Sequence, residues 1–357
     1  MTALLDRLMP RAQPARKPIG LALQGAGSLG AYTWGALDVL LGSRTVAIAQ
    51  LSGTSAGAIN AAIVAGALAK GSARGARRAL SSFWRRIASP SLALVGHWHP
   101  VERAWHESMG AWLLTTGALS PYHSNPLGLN PLREAIEAHV DIEAIRSASA
   151  PALFVTVTQV RTGLPRVISN AEMTVDALVA SACLPQLFQA VEIEGDWYWD
   201  GGYLGNPALG PMIQSGVASD LVVVQLVPDG PDDAPRDALS IRRRLGEIVF
   251  NSSLVAEMQS ISAMRDVARR SARVRDVRLH RIGPPERALL EQGSTLDRSW
   301  TWLQRLREEG RADAKRFIAR HGPDVGVRET LDLAGVFADR RTATTSANEA
   351  IYEETGR

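Results

Sequence analysis

The sequence predicts an α/β fold built on a parallel sheet, and three observations support this prediction. A strand, a glycine-rich turn and a helix follow one another twice within residues 18–70. Later apolar runs are unbroken, as is typical of strands that helices cover on both faces. The composition, with 46% hydrophobic and 21% charged residues over 357 positions, allows one large or two ordinary domains and excludes disordered, collagen-like and disulfide-rich proteins.

The predicted strands and helices alternate along the chain. Strands are expected at residues 18–24, 45–52, 152–158 and 220–227. Helices are expected after the first two strands, at residues 31–41 and 58–70. Two later helices are indicated by residues that share one face: Ile241, Leu245, Ile248, Ser252 and Val255 in the first, and Leu303, Leu306, Ala314 and Phe317 in the second.

The first glycine-rich turn, Gly25–Gly30 (GAGSLG), fits the dinucleotide-binding pattern G-x-G-x-x-G. A dinucleotide site also needs an acidic residue about 20 positions later to bind the ribose. The chain has no Asp or Glu between Val39 and Val101, which argues against such a site. Arg44 could bind a 2′-phosphate, so a nucleotide-dependent enzyme remains an alternative.

The second turn, Gly53–Gly57 (GTSAG), fits the G-x-S-x-G pattern of a serine nucleophile. An apolar strand enters this turn and an Ala-rich helix leaves it, which is the strand-to-helix elbow that the chemistry requires. The small residues leave the Ser55 hydroxyl accessible, and the helix N-terminus favours developing negative charge. Ser55 is therefore the predicted nucleophile.

A serine nucleophile needs a base, and Asp200 in WDGGY is the best candidate because Gly201 and Gly202 form a tight turn that can present its carboxylate. An ordinary Asp-Gly turn is the alternative. Three histidines lack a loop context and are expected to be structural: His139, His280 and His321. The single Cys183 lies in an apolar run and is expected to be buried rather than nucleophilic.

Taken in order, the segments QGAGSLGAY, GTSAG and DGG resemble the patatin-like phospholipase family. The runs SPYHSNPLGLNPL (120–132) and ASACLP (180–185) resemble its bacterial members in particular. The similarity covers residues 19–212 well and continues less distinctively to about residue 320. It implies a three-layer α/β/α sandwich with a central, mostly parallel sheet and a C-terminal helical region.

The resemblance also assigns roles to residues of this chain. Ser55 would be the nucleophile and Asp200 the base of a Ser–Asp dyad, with no metal or other cofactor. The oxyanion hole would be formed by the backbone N–H groups of Gly25, Ala26, Gly27 and Ser28. Five further glycines would support these motifs: Gly30, Gly53, Gly57, Gly201 and Gly202.

Two positions depart from the family pattern. Many members have Gly where this chain has Ala26, and Arg or Lys where it has Leu29. Backbone N–H donors survive an Ala, but Leu29 offers no charge to a phosphate. The choice between a phospholipid and a neutral ester substrate therefore stays open.

The predicted organisation follows from this resemblance. A flexible leader (1–18) precedes the catalytic domain (19–212), a mainly helical extension (213–339) is packed on that domain, and a loose tail (340–357) follows. Within the catalytic domain, residues 90–131 carry Trp98, Trp105 and Trp112 at seven-residue spacing. They are either an insert packed on the core or a lid facing a membrane.

The predicted activity is that of a serine lipid acyl hydrolase, of phospholipase A or carboxylic ester hydrolase type, acting on a lipid ester through an acyl-enzyme. The alternative is a catalytically weak lipid- or membrane-binding protein of the same fold. An Asp base needs an apolar setting, which four aromatic residues could supply: Trp197, Tyr198, Trp199 and Tyr203.

The net charge of +3 is unevenly distributed, with basic segments at Lys70–Arg86 and Arg236–Arg281. These segments predict peripheral contact with an anionic membrane. No nucleic-acid-binding module is recognisable, so no nucleic-acid partner is expected. Neither a membrane-spanning stretch nor a signal peptide is evident, and a cytoplasmic or peripheral membrane location is expected.

Overall fold

The computed structural model describes residues 15–89, 120–228, 230, 234–267, 276–290 and 292–333. The first part of the predicted leader, most of the tryptophan-bearing segment and the predicted tail lie outside these residues. Within the described residues, an eight-stranded, mostly parallel sheet carries helices on both faces, which confirms the predicted α/β/α fold.

The strands of this sheet are β1 (Lys17–Leu23), β2 (Val46–Gly53), β3 (Ala152–Gln159), β4 (Leu164–Ser169), β5 (Val191–Ile193), β6 (Asp196–Asp200), β7 (Asp220–Val224) and β8 (Arg278–Ile282). The helices before β3 are α1 (Gly30–Leu40), α2 (Ala56–Ala69), α3 (Ala73–Ala88), α4 (Pro121–Ser124), α5 (Pro131–His139) and α6 (Ile142–Arg146). Those after β4 are α7 (Val175–Ser181), α8 (Gly210–Ser215), α9 (Ala238–Val267), α10 (Arg287–Leu290) and α11 (Trp300–His321). Short 3-10 turns occupy Gly27–Leu29, Asn170–Glu172 and Gly201–Tyr203.

Hydrogen-bonded neighbours follow the path β5-β6-β3-β2-β1-β7-β8, and β4 also pairs with β3. The central neighbours from β3 to β8 are parallel. The antiparallel pairs are β3 with β4, β3 with β6, and β5 with β6. The segment predicted as a mainly helical extension thus also supplies β7 and β8 to the same sheet, and the predicted domain division stays a prediction.

One edge of β3 is shared by two strands that approach each other end to end. β2 pairs with the first half of β3 and ends with Gly53 opposite Val155. β6 pairs with the second half in the opposite direction and ends with Asp200 opposite Val157. Since β4 occupies the other edge, the residues that follow β2 and the last residue of β6 meet beside the middle of β3.

Alternate residues of the central strands enter two separate cores. Leu21, Leu23 and Val222 face a large core that α1, α2, α3 and α11 complete. Ala22 and Leu221 face a smaller core on the other side, which α8 and α9 complete. This alternation is what places helices on both faces of the sheet.

Helices α1 and α11 touch through their backbones. A side chain at Gly35 would collide with the carbonyl oxygen of Arg307, and one at Gly310 with that of Tyr32. Beside this contact, the buried carboxylate of Asp38 pairs with three arginines: Arg77, Arg307 and Arg311. Among the described helices, none is both long and apolar enough to cross a bilayer.

Candidate active site

Ser55 lies at the elbow between β2 and α2, in a backbone conformation that non-glycine residues seldom adopt. Its φ is +55° and its ψ is −127°, a combination that typically costs about 1–3 kcal/mol. The elbow is tight because α2 approaches the sheet closely: a side chain at Gly57 would collide with the carbonyl oxygen of Leu23, and one at Gly53 with Gly57. Both glycines therefore have the close-packing role that the motif predicts.

Hydrogen bonds hold this strained elbow in place. The backbone N–H of Ser55 donates to Ser181 Oγ at 2.9 Å, and Ser181 Oγ donates to the carbonyl oxygen of Thr156 at 2.8 Å. The hydroxyl of Thr54 donates to the carbonyl oxygen of Gly205 at 2.6 Å. Ser181 was not among the predicted site residues, although it lies within the run ASACLP that contributed to the family resemblance.

Asp200 ends β6 and is fully buried. One carboxylate oxygen, Oδ1, accepts a hydrogen bond from the backbone N–H of Gly202 at 2.7 Å. Gly201 lies against the carbonyl oxygen of Thr156, where no side chain would fit. Burial raises the pKa of Asp200 to about 7, and the N–H of Gly202 and the nearby Ser55 hydroxyl only partly oppose this shift.

The structure thus brings Ser55 and Asp200 together. The second carboxylate oxygen, Oδ2 of Asp200, is buried and forms no hydrogen bond with any described residue. The Ser55 hydroxyl is nevertheless near enough to lower the pKa of this carboxyl. Catalytic hydrogen bonds are often loosely aligned in a free enzyme and tighten when substrate binds.

The apolar surroundings of Asp200 differ in part from those predicted. Tyr198 is buried on the same face of β6, whereas Trp197 belongs to the opposite face and is 48% exposed. Tyr203 packs against Phe250 of α9, with ring centroids 5.3 Å apart. Phe250 also lies directly against Gly202, a contact across the chain that no local sequence pattern indicates.

The first glycine turn lies directly beside the elbow. A Cβ atom on Gly25 would come within 2.7 Å of the Ser55 Cβ atom. The N–H of Gly25 donates to Asn206 Oδ1 at 2.6 Å, and the N–H of Ser28 donates to the carbonyl oxygen of Thr295 at 2.8 Å. Both of these N–H groups, predicted as oxyanion-hole donors, are therefore occupied.

Two other N–H groups of this turn remain available. Within the described part of the chain, those of Ala26 and Gly27 have no hydrogen-bond acceptor. Gly30 begins α1 and lies against the Ala56 side chain, where a larger residue would not fit. Leu29, at the position where many family members are basic, is buried.

The histidines and the cysteine that the sequence analysis set aside as catalytic residues have other surroundings in the structure. His139 interacts with Ala135 and Ser82, His280 with Thr330 and Asp220, and His321 with Asp324. Cys183 is buried, and burial together with the nearby Asp200 charge raises its pKa to about 12, so the thiol stays protonated. No three metal-ligating side chains come together among the described residues.

Three features lie together at this site: a serine on a strained elbow, a buried carboxylate with a raised pKa, and adjacent N–H groups without an acceptor. This arrangement is suited to acyl transfer.

Comparisons with known proteins point to one family. The family model of the patatin-like phospholipases matches residues 21–213, more than half of the chain. No curated protein sequence matches the chain. Among solved structures, the crystal structure of VipD from Legionella pneumophila resembles it with a TM-score of 0.43 and 14% sequence identity, over 86% of this chain and 67% of that chain.

Proposed function

This chain belongs to the patatin-like phospholipase family, and we propose that it is a lipid acyl hydrolase in which Ser55 is the nucleophile and Asp200 its base. The observation that carries the proposal is the meeting of a serine on a strained elbow with a buried carboxylate whose pKa is about 7. An ordinary Asp, with a pKa near 3.9, would be too weak a base at neutral pH.

The proposed reaction proceeds in two steps. The Ser55 oxygen attacks the ester carbonyl while Asp200 takes its proton, and the alcohol then leaves with that proton. Water next attacks the acyl-enzyme with Asp200 again as base, which releases the fatty acid and restores the serine. The N–H groups of Ala26 and Gly27 stabilise the oxyanion in both steps, and one such donor typically contributes about 3 kcal/mol.

The proposal predicts that replacement of Ser55 by Ala abolishes ester hydrolysis. The measurement uses p-nitrophenyl esters of increasing chain length, with Ser147→Ala, a surface serine variant, as the matched control. We expect activity in the wild type and the control and none in Ser55→Ala. Retained activity in Ser55→Ala would contradict the proposal, and vesicle binding without turnover in the wild type would favour the lipid-binding alternative.

We also propose that the enzyme contacts an anionic lipid surface through α9. This helix has two apolar faces. Leu254 and Met258 are buried against the sheet, whereas Ile241, Leu245 and Ile248 are 41%, 56% and 47% exposed. At 100° per residue, the exposed stripe points about 130° away from the buried one.

Charge and position favour a lipid surface as the partner of this stripe. Arg236, Arg242 and Arg243 are exposed at the same end of α9, and cations beside an apolar stripe suit anionic headgroups. Phe250, two residues after Ile248 and on the opposite side of α9, lies beside Gly202 at the end of β6. The first half of α9 therefore lies beside the proposed active site, with the stripe on its solvent-facing side.

The other basic segment is less suited to this role because several of its charges are paired within the protein. Lys70 pairs with Asp141, Arg77 with Asp38 and Arg86 with Glu134.

A vesicle-binding experiment tests the surface on α9. We expect the double variant Leu245→Gln, Ile248→Gln to bind phosphatidylglycerol-containing vesicles about tenfold or more weakly than the wild type, since it removes apolar area that would enter the interface. Val217→Gln changes a residue 47% exposed ahead of β7 and should bind normally. Equal binding of both variants, or binding that is insensitive to anionic lipid and to salt, would refute the proposal.

A further inference from the structure

Asn206 connects the first glycine turn to the segment that follows Asp200. Its side chain is fully buried and forms three hydrogen bonds to the backbone. Oδ1 accepts from the N–H of Gly25 at 2.6 Å, and Nδ2 donates to the carbonyl oxygens of Gly25 and Phe250 at 2.9 Å each. Both polar groups of Gly25 are therefore bound by a single side chain.

This reciprocal pair fixes the peptide units on both sides of Gly25. Gly25 touches Ser55, and the available N–H groups of Ala26 and Gly27 follow it directly. At the other end of the turn, Thr295 binds the N–H of Ser28. The two donors thus lie between two anchored residues.

We propose that Asn206 is a positioning residue that keeps the N–H groups of Ala26 and Gly27 directed at the oxyanion, an inference that rests on the proposed function. Asn206 acts through Gly25 and does not itself contact the reacting atoms. Because the oxyanion exists only in the transition state and the tetrahedral intermediate, a loosened turn should lower kcat and leave KM nearly unchanged. A displacement of about 1 Å at such a site can cost about 100-fold in rate.

Asn170 provides a matched control with the same pattern of bonds. Its Oδ1 accepts from the N–H of Leu153 at 2.7 Å, and its Nδ2 donates to the carbonyl oxygens of Ile145 and Pro151. It lies beside the beginning of β3, away from the end of β6 where Asp200 is found. A loss of stability that comes merely from deleting a well-bonded Asn should appear in both variants.

The first measurement compares kcat and KM of Asn206→Ala and Asn170→Ala on a p-nitrophenyl ester. We expect kcat to fall about 10- to 100-fold in Asn206→Ala alone, with KM changed little. Asn206→Asp is the second variant, for use where the Ala variant does not fold. It keeps an acceptor for Gly25 but loses both donated bonds, so we expect the same direction of change.

The second measurement replaces the ester by the matching thionoester, in which sulfur takes the place of the carbonyl oxygen. Sulfur is larger and a weaker hydrogen-bond acceptor, so a well-formed oxyanion hole prefers the oxygen ester. We expect this preference to shrink in Asn206→Ala and Asn206→Asp and to stay at the wild-type value in Asn170→Ala. A purely structural role for Asn206 would leave the ratio unchanged.

The outcomes separate this inference from the function on which it rests. If Ser55→Ala retains activity, the proposed function fails. If Ser55→Ala is inactive while the folded Asn206 variants keep the wild-type kcat and thionoester ratio, the positioning role alone is overturned.

Discussion

The burial of Asp200 has two effects: it raises the pKa as the proposed base requires, and it destabilises the folded state. The pKa of about 7, against the ordinary value of 3.8, means that the folded state holds this proton across a pH range in which the unfolded chain has lost it. The free energy of unfolding is therefore highest, as far as this group is concerned, below about pH 4. It falls as the pH rises from there through about 7. A shift of about three pKa units corresponds to about 4 kcal/mol.

Replacement of Asp200 by Asn should reveal this cost. The amide keeps the shape but cannot ionise, so we expect Asp200→Asn to unfold at higher denaturant concentration than the wild type at pH 8, with a smaller gain at pH 5. The same variant should lack hydrolytic activity at both values, while wild-type kcat/KM should rise through about pH 7. A stability gain that is the same at both pH values would show that Asp200 does not titrate in this range.

At the scale of elements, sequence patterns predicted the mainly apolar strands and missed the more polar or very short ones. β1, β2, β3 and β7 consist mainly of apolar residues and lie close to their predicted positions. β5 (VEI) has only three residues, β6 (DWYWD) begins and ends with Asp, and β8 (RLHRI) has three polar residues among its five. β6 and β8 pair with β3 and β7, which are distant in the sequence, and β5 depends in turn on its pairing with β6.

The same limit applies to α9. Its predicted apolar face (Ile241, Leu245 and Ile248) has the correct helical period, but the structure turns that face to solvent and buries Leu254 and Met258 instead. Periodicity identifies a helix and an apolar stripe, but it does not identify which stripe meets the sheet.

The close contact between α1 and α11 yields a prediction at this scale. Gly35→Ala and Gly310→Ala each place a methyl group against the backbone of the other helix, and we expect each to lower the free energy of unfolding by about 1–3 kcal/mol. Gly246→Ala is the matched control, because nothing lies within 4 Å of its added Cβ atom on α9. It should raise stability by about 0.5–1 kcal/mol through better helix propensity. Chemical denaturation of the three variants measures these changes. An unchanged free energy of unfolding in Gly35→Ala and Gly310→Ala would contradict the close contact.

At the scale of the whole molecule, the order of the motifs along the sequence is enough to predict Ser55 and Asp200 as the site residues. They meet because β2 and β6 end at the same edge of β3, which is a feature of the sheet topology and not of either segment alone.

The residues that support the first glycine turn were not predicted. Trp302 Nε1 donates to Ser28 Oγ at 3.4 Å, and Ser28 Oγ donates to the carbonyl oxygen of Ser294 at 2.9 Å. The residues in these contacts are more than 260 positions apart in the chain, so no local sequence pattern predicts them.

Covalent labelling with a fluorophosphonate, followed by peptide mapping, tests the central claim most directly. Such a probe reacts with a serine only when that serine is activated as a nucleophile. We expect one adduct, on the peptide that contains Ser55, with labelling that is much slower in Asp200→Asn and absent in Ser55→Ala. An adduct on another residue, or labelling of Asp200→Asn at the wild-type rate, would contradict a nucleophile at Ser55 that is activated by Asp200.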